Sequence, residues 1–442
     1  MSDYRSAPAT STVSASSNSE INTLLSGYKW GGATGTGTSL SFSFPWTTNS
    51  TALWEDNYSP SDEPNSATHF GLNSAQSDIA RTALQRWANV TNLTFTEIAE
   101  TGNEVGDIRF AFSSDVSDGG ASGWSYYPNN YWACGGDIWI SPTATNYSLN
   151  AATHLLVHEL GHTLGLKHPG NYGGSEAGPF LPTGQDNQLY SVMSYNEPAN
   201  NWWYDTQTSS WVYVYAEGPM IYDIATIQYM YGANMTYHAT DDVYTYDDSA
   251  PFRITIWDGG GNDTISVANS TRGSLINLNE GAFSSIQTTR FYSEFGISDT
   301  YDGSYNLGIA YGAVIENATG GSGNDTLIGN GVDNILTGNA GNDILRGGAG
   351  DDILDGGAGS NFLIGGVGND TYIFREDSDS ITENASEGID TIQSYLASTF
   401  MQANVEEVQI MSTGAADVYG NASDNQIYAG VGNNTIEGRE GT

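Results

Sequence analysis

The chain carries a single cysteine, Cys134, among 442 residues. No disulfide can form within it, so the fold has no covalent staple of that kind. Lysine is almost as scarce, occurring only at Lys29 and Lys167, which leaves little material for catalysis by an amine. No apolar run is long enough to span a bilayer. Residues 1–19 are rich in Ser, Ala and Thr and lack the basic start and apolar core of a secretory signal. Lys and Arg number 12 against 51 Asp and Glu, a formal net charge of −39. Such a surface repels nucleic acid and acidic membranes, so neither is expected as a partner. The acidity itself has two readings, a solvated surface suited to salt or a store of carboxylate ligands for cations.

Against these absences stands one dense stretch, His158-Glu159-Leu160-Gly161-His162-Thr163-Leu164-Gly165-Leu166-Lys167-His168. On a helix, residues four apart share a face, so His158 and His162 can aim their imidazoles at one point. Two neutral imidazoles on one face are half of a zinc site. Glu159 follows the first histidine and points elsewhere, where it is better placed to hold a water beside a metal than to ligate. Gly165 is expected to end the helix, because only glycine turns left-handed there without steric cost. That turn doubles the chain back and brings His168 to the same metal. A helix with surface histidines and a glycine cap is the alternative, but this eleven-residue spacing matches the metzincin signature and is far more specific than H-E-x-x-H alone.

Downstream lies Ser191-Val192-Met193-Ser194-Tyr195. A methionine and a tyrosine in a loop are ordinarily core. After the zinc motif they fit a Met-turn, with Met193 as a soft apolar floor and Tyr195 within reach of a metal or an oxyanion. His158 to Gly170, Ser191 to Tyr195, and Tyr222-Asp-Ile-Ala-Thr-Ile-Gln-Tyr-Met-Tyr-Gly-Ala-Asn234 together resemble the serralysin family, secreted bacterial metzincins with a calcium-binding tail. The likeness runs from about Ile21 to about Phe374. It implies one catalytic zinc on His158, His162 and His168, Tyr195 as an additional ligand and oxyanion stabiliser, and Glu159 as general base. It further implies protein or peptide substrates, a monomer, an N-terminal propeptide, and export to the cell exterior by a type I machine that needs no N-terminal signal.

The flanking segments read as an α+β domain. Residues 39–44, 93–98, 107–112 and 136–141 alternate like strands. Residues 73–89 read as a helix capped by Asn73 or Ser74, with Ile79, Ala83, Leu84 and Trp87 as its apolar stripe. The active-site helix spans 148–164, burying Leu155, Leu156, Leu160 and Leu164, and 219–231 closes the domain. The strand at 136–141 is either the sheet edge on which an extended peptide lies or an ordinary core strand. His154, His69 and His238 are read as non-ligands.

From Gly320 a nine-residue step takes over, with units starting at Gly320, Gly329, Gly338, Gly347, Gly356 and Gly365. The pattern G-G-x-G-x-D-x-U-x is a calcium-binding nonapeptide of parallel β-helices. Glycines such as Gly321, Gly323, Gly348 and Gly350 permit tight turns with exposed carbonyls, and the sixth-position Asp325, Asp343, Asp352 and Asp370 offer carboxylates to a hard cation. Asp263, in the earlier Gly259-Gly-Gly-Asn-Asp263 segment, is a further calcium candidate. Asn334 and Asn361 hold the sixth position in two units, where calcium should bind more weakly. The apolar eighth residue (Leu327, Leu336, Leu345, Leu354, Leu363, then Tyr372) points into a thin core. Without calcium the stacked carboxylates repel, and this part should be unfolded.

The expected architecture is an α+β zincin catalytic domain followed by an all-β parallel β-roll. Residues 1–20 are expected to be disordered, either a propeptide or a frayed terminus. Residues 21–250 form the catalytic domain, and 251–375 the roll, with its repeats at 320–373. Residues 376–442 are expected to be a further repeat-like region that stops inside a unit, unlike serralysins with their hydrophobic-acidic export signal. Either the chain is a fragment of a longer protein or its export signal is not recognisable. The expected function is a secreted, calcium-stabilised zinc endopeptidase. Two rivals stand beside it: a calcium-dependent adhesion protein with a vestigial zincin domain, and a peptidase restricted to one partner. Intact His158, Glu159, His162, Gly165, His168 and Tyr195 argue against the first, and general casein hydrolysis would argue against the second.

Overall fold

Asn73 accepts a hydrogen bond from the Gln76 main chain at 3.0 Å while Gln76 reaches back to the Asn73 N–H at 2.9 Å. This capping box starts a long helix where the sequence places one. The computed structural model describes residues 9–47, 52–55, 58–101, 104–129, 133–174, 177–288, 300–376 and 378–439. The chain divides into two compact units.

The first unit comprises Met1–Trp202, Val212–Tyr237 and Phe252–Trp257. In chain order it holds β1 (Thr10–Thr12), α1 (Ser19–Leu24), β2 (Tyr28–Trp30), β3 (Thr38–Ser43), β4 (His69–Gly71), α2 (Ser74–Val90), β5 (Leu93–Glu97), β6 (Ile108–Ser113), α3 (Ser114–Asp118), β7 (Gly123–Ser125), β8 (Ile138–Ile140), α4 (Leu149–Leu164) and α5 (Ile221–Tyr231). The main sheet runs β5-β3-β6-β8-β7, with β4 also on β6. Neighbours are parallel from β5 to β8, whereas β7 is antiparallel to β8. The strand at 136–141 is therefore interior. The edge on that side is β7, which sequence reading left unassigned.

Helix α2 buries Ala80, Ala83, Leu84, Trp87 and Val90, and the Trp87 indole donates to Val157 O of α4 at 3.1 Å. Of the four leucines expected on the buried face of α4, Leu156, Leu160 and Leu164 are buried, while Leu155 lines a cleft. Residues 9–20, expected to be disordered, are ordered in part. Strand β1 pairs antiparallel with β2, and Asn18 caps α1 by accepting from the N–H groups of Glu20 and Ile21. The segment has little apolar content of its own, and the main chain of β2 supplies the partner. Residues 1–8 lie outside the described residues.

The second unit comprises Trp203–Trp211, His238–Pro251 and Asp258–Thr442. The division is thus interleaved and not one cut after residue 250, because Val243–Thr245 already pairs in parallel with Thr264–Ser266 as the first rung of the roll. Nine parallel strands form one sheet, from Val243–Thr245 to Gln426–Tyr428. Five more, from Leu275–Asn277 to Ser380–Thr382, form a second. Leu327 lies opposite Leu345, and Leu336 opposite Leu354. One nine-residue unit is therefore half a coil, and successive units feed alternate sheets. The eighth-position residues Leu327, Leu336, Leu345, Leu354, Leu363 and Tyr372 are all fully buried. Beyond residue 376 the sequence repeat lapses, but the coil continues through Thr391–Ser394 and Glu407–Ile410, with Ile392 and Val408 taking over the core.

Candidate metal centre and cleft

Helix α4 begins at Ser148, whose hydroxyl accepts from the Ala151 N–H, and it ends at Gly165, with φ +106° and ψ 15°. The Leu166 N–H returns to Gly161 O at 2.9 Å, closing a left-handed cap. The Lys167 N–H then donates to Leu24 O at 2.7 Å and the Ser26 N–H to Gly165 O at 3.0 Å. The chain reverses, and His168 comes back over the helix. His168 Nε2 lies 3.0 Å from His162 Nε2 and 3.3 Å from His158 Nε2. Bonds of about 2.0–2.1 Å at tetrahedral angles place zinc-bound nitrogens at about this separation.

The tautomers agree with a metal. His158 Nδ1 donates to Val192 O at 2.9 Å, and His162 Nδ1 to Leu166 O at 2.8 Å. With those protons committed, both Nε2 atoms present lone pairs to the same point. Burial, reinforced by the neighbouring imidazoles, pushes the His158 pKa well below its ordinary value and that of His162 down to about 3. Three converging imidazole nitrogens, two of them on rings held neutral, are a fit for one divalent cation, and these three residues form a metal-capable group.

The Met-turn is anchored from α5. Asp223 accepts from Ser191 Oγ at 2.6 Å, from the Val192 N–H at 2.6 Å and from the Met220 N–H at 2.8 Å. Met193 is fully buried beneath α4, and a Cβ on Gly161 would meet its sulfur at 2.3 Å. Tyr195 is exposed and stacks on Tyr172, with ring centroids 4.7 Å apart and an interplanar angle of 19°. Its ring lies 4.5 Å from that of His168 and 5.6 Å from that of His158.

Glu159 is buried, which pushes its carboxyl up to about 7 against the opposing pull of a hydrogen bond from Ser125. It opens on a cleft of about 800 Å³ lined by residues 120–123 at the start of β7, by His154, Leu155 and His158 of α4, and by Tyr195 and Tyr215. His154 is not grouped with the metal-capable three. Its Nδ1 faces Ala216 O at 3.3 Å and its ring packs on Tyr215 at 5.1 Å. His69 contacts Ser66 O and His238 contacts Asp242, and neither is grouped with the three.

In the roll the sixth-position residues form ladders. The N–H of Asp325 donates to Asp343 Oδ1, that of Asn334 to Asp352 Oδ1, and that of Asp352 to Asp370 Oδ1, at 2.7, 2.7 and 2.9 Å. This leaves Oδ2 of Asp343, Asp352 and Asp370 buried without a hydrogen-bond partner, as is Oδ2 of Asp263. Uncompensated carboxylate oxygens in a stack fit hard cations. At the two Asn positions the side-chain NH₂ supplies donors itself, from Asn334 to Glu316 O and from Asn361 to Asp379 Oδ1. Asp325 Oδ2 accepts from the Gly321 N–H at 2.7 Å. Gly348 and Gly350 take φ of +120° and +117°. A Cβ on Gly323 would lie 2.3 Å from Arg272 of the neighbouring coil.

Two metal-capable carboxylate groups extend this set, Asp242 with Asp258 and Asp263, and Asp370 with Glu383 and Asp390. Sequence reading named Asp263 and Asp370 and missed the other four. Asp390-Thr-Ile392 repeats the Asp-Thr-apolar register of Asp325-Thr-Leu327, a signal that could have found one of them.

Comparison with known proteins agrees region by region. Residues 61–178 match the family model "Dual-action HEIGH metallo-peptidase" and 141–243 match "Met-zincin". Residues 222–410 match "Peptidase M10 serralysin C terminal", and 412–442 match "RTX calcium-binding nonapeptide repeat". Metallopeptidase AprA of Pseudomonas marginalis is 37% identical over 284 residues, 60% of this chain and 56% of that protein. Serralysin C of Dickeya chrysanthemi is 35% identical over 281 residues, 58% of this chain and 54% of that protein. A serralysin of Proteus mirabilis is 32% identical over 332 residues, covering 67% and 60%. The chain spans little more than half the length of these curated relatives.

Proposed function

Because the chain belongs to the serralysin family of metzincins with C-terminal RTX calcium-binding repeats, we propose that it is a calcium-stabilised zinc endopeptidase acting on proteins outside the cell. The observation that carries the reading is the convergence of three Nε2 atoms, 3.0 and 3.3 Å apart along the trio, beside a buried carboxylate one residue from the first of them. His158, His162 and His168 would hold the zinc. Zinc bound there would lower the pKa of a water and polarise a substrate carbonyl.

The chain's own groups do the rest. Glu159 takes the proton from the attacking water and delivers it to the departing amine. Tyr195, exposed and stacked on Tyr172, would offer its phenol to the bound metal and to the developing oxyanion.

Substrate lies along β7. The Ser141 N–H donates to Ser122 O and the Tyr126 N–H to Asp137 O. The antiparallel alternation therefore turns the main-chain groups of Gly123 and Ser125 away from β8. An extended peptide added there would run along the cleft beside Glu159. The roll would take calcium on Asp263, Asp325, Asp343, Asp352 and Asp370, together with carbonyls of turns such as those at Gly321, Gly323, Gly348 and Gly350. Export by a type I machine suits a domain that folds only where calcium is plentiful.

The test is metal content by mass spectrometry with casein hydrolysis before and after chelation. One zinc per chain, with activity lost on chelation and restored by zinc, is expected. Zinc-bound protein that cleaves nothing would favour an adhesion module with a vestigial catalytic domain.

A further inference from the structure

Side chains alternate across a strand, and β7 uses both of its faces. On the face toward α4, Ser125 Oγ lies 2.9 Å from Glu159 Oε2 and 2.8 Å from Glu159 O. Two residues earlier on that face, Gly123 has no side chain. A Cβ there would stand 3.1 Å from Glu159 Oε1, 3.2 Å from its Cγ and 3.3 Å from Leu155 Cδ1. On the opposite face the indole of Trp124 donates to Glu63 Oε1 at 3.0 Å, and the Tyr126 hydroxyl donates to the same oxygen. Glu63 is fully buried, and Ser59 donates to its other oxygen.

We propose that β7 is the seat of the catalytic carboxylate: Ser125 aims Glu159, Gly123 leaves the room it needs, and Glu63 clamps the strand from behind. The proposal rests on reading Glu159 as the general base and adds what holds that base in place. A glutamate has three rotatable side-chain bonds, and a base displaced by a fraction of an ångström loses most of its advantage. The Ser125 hydroxyl touches both ends of Glu159, main-chain carbonyl and carboxylate, so it fixes the side chain against its own helix. Ser125 and Gly123 also turn their main-chain groups toward the free edge. The segment that would receive the peptide is therefore the one that sets the base, and substrate and base are held in one frame. Ser125 and Glu63 are positioning residues, since they act through Glu159.

The experiment compares Ser125→Ala, Ser125→Thr, Gly123→Ala and Glu159→Gln in the full chain. It measures kcat and KM on a fluorogenic peptide, zinc per chain and thermal midpoint. Ser125→Ala should lower kcat about tenfold, the loss expected for one hydrogen bond to a charged group, with KM, zinc and midpoint unchanged. Ser125→Thr, which keeps the hydroxyl, should recover most of that loss. Gly123→Ala should lower kcat as well, because the added methyl presses on the carboxylate. Wild-type kcat in Ser125→Ala beside an inactive Glu159→Gln would overturn the positioning role alone. So would a loss in Ser125→Ala that threonine fails to recover, or one matched by loss of zinc. Activity in Glu159→Gln would overturn the general-base reading on which the proposal rests.

Discussion

His158 and Asp223 are joined through a single residue, Val192. Its N–H donates to the Asp223 carboxylate at 2.6 Å, and its carbonyl accepts from His158 Nδ1 at 2.9 Å. A fully buried acid on α5 thus holds the residue whose carbonyl fixes the tautomer of His158, a proposed zinc ligand. Partners of this kind tune affinity by about 10–100-fold. Asp223→Asn puts an NH₂ group against donors at Ser191, Val192 and Met220. Zinc affinity, measured by competition with a chromogenic chelator, is expected to fall by about that range, with the roll's calcium response unchanged. Wild-type affinity would show that the Met-turn holds its shape without Asp223.

Tyr195 makes a separable prediction. Its ring is stacked on Tyr172 and exposed, so removing the hydroxyl leaves the packing intact. Loss of one oxyanion donor costs about a hundredfold or more in kcat. Tyr195→Phe should therefore lower kcat by about that factor, with KM and zinc content preserved. A change in KM alone would place the phenol in substrate binding instead.

The parts of the site that were legible in the sequence are local. His158, His162, Gly165 and His168 fall within eleven residues, and helix geometry plus one left-handed turn suffices to assemble them. The roll was legible because a nine-residue period leaves a mark that no tertiary contact obscures. What escaped depends on contacts far apart in the chain. Ser125 meets Glu159, Glu63 meets Trp124 and Tyr126, and Asp223 meets Ser191 and Val192. The identity of the edge strand escaped for a related reason. Strand β7 is only Gly-Trp-Ser, too short and too mixed to show a strand period, and its pairing outside β8 is a tertiary contact. Asp390 was hidden by two extra residues, since its carboxylate meets the Asp370 N–H across 20 positions where the other rungs span 18.

The roll's carboxylates predict how calcium and pH interact. In the metal-free protein, burial pushes Asp343, Asp370 and Asp390 up to about 6, Asp352 to about 7 and Glu383 to about 8. Unfolded carboxyls titrate near 4. Between about pH 4 and 7 the metal-free fold therefore binds more protons than the unfolded chain, and its stability falls as pH rises through that window. Calcium compensates the ionised form, so the stabilisation it confers should grow over the same range. Protein dialysed free of metal should show a thermal transition of the roll at pH 5 that is lowered or lost at pH 7.5. Added calcium should raise the midpoint more at pH 7.5. A metal-free midpoint that climbs with pH would mean these acids are not held uncompensated.

Gly165 gives the sharpest test of how the third ligand is delivered. Two obstacles face any other residue there. The φ of +106° is left-handed, which costs an ordinary residue roughly 1–2 kcal/mol. A Cβ would also stand 2.2 Å from Tyr28 O and 2.7 Å from Met230 Cε, contacts no rotamer change relieves at the backbone oxygen. Gly165→Ala should therefore lower the thermal midpoint and, by displacing the turn, take His168 away from His158 and His162. Zinc per chain should fall well below one. Gly165→Asn separates the two obstacles, because asparagine tolerates left-handed backbone but still carries a Cβ. If crowding against Tyr28 dominates, Asn should do no better than Ala. Recovery of zinc in Gly165→Asn alone would show that backbone conformation, and not the approach of β2, is what reserves this position for glycine.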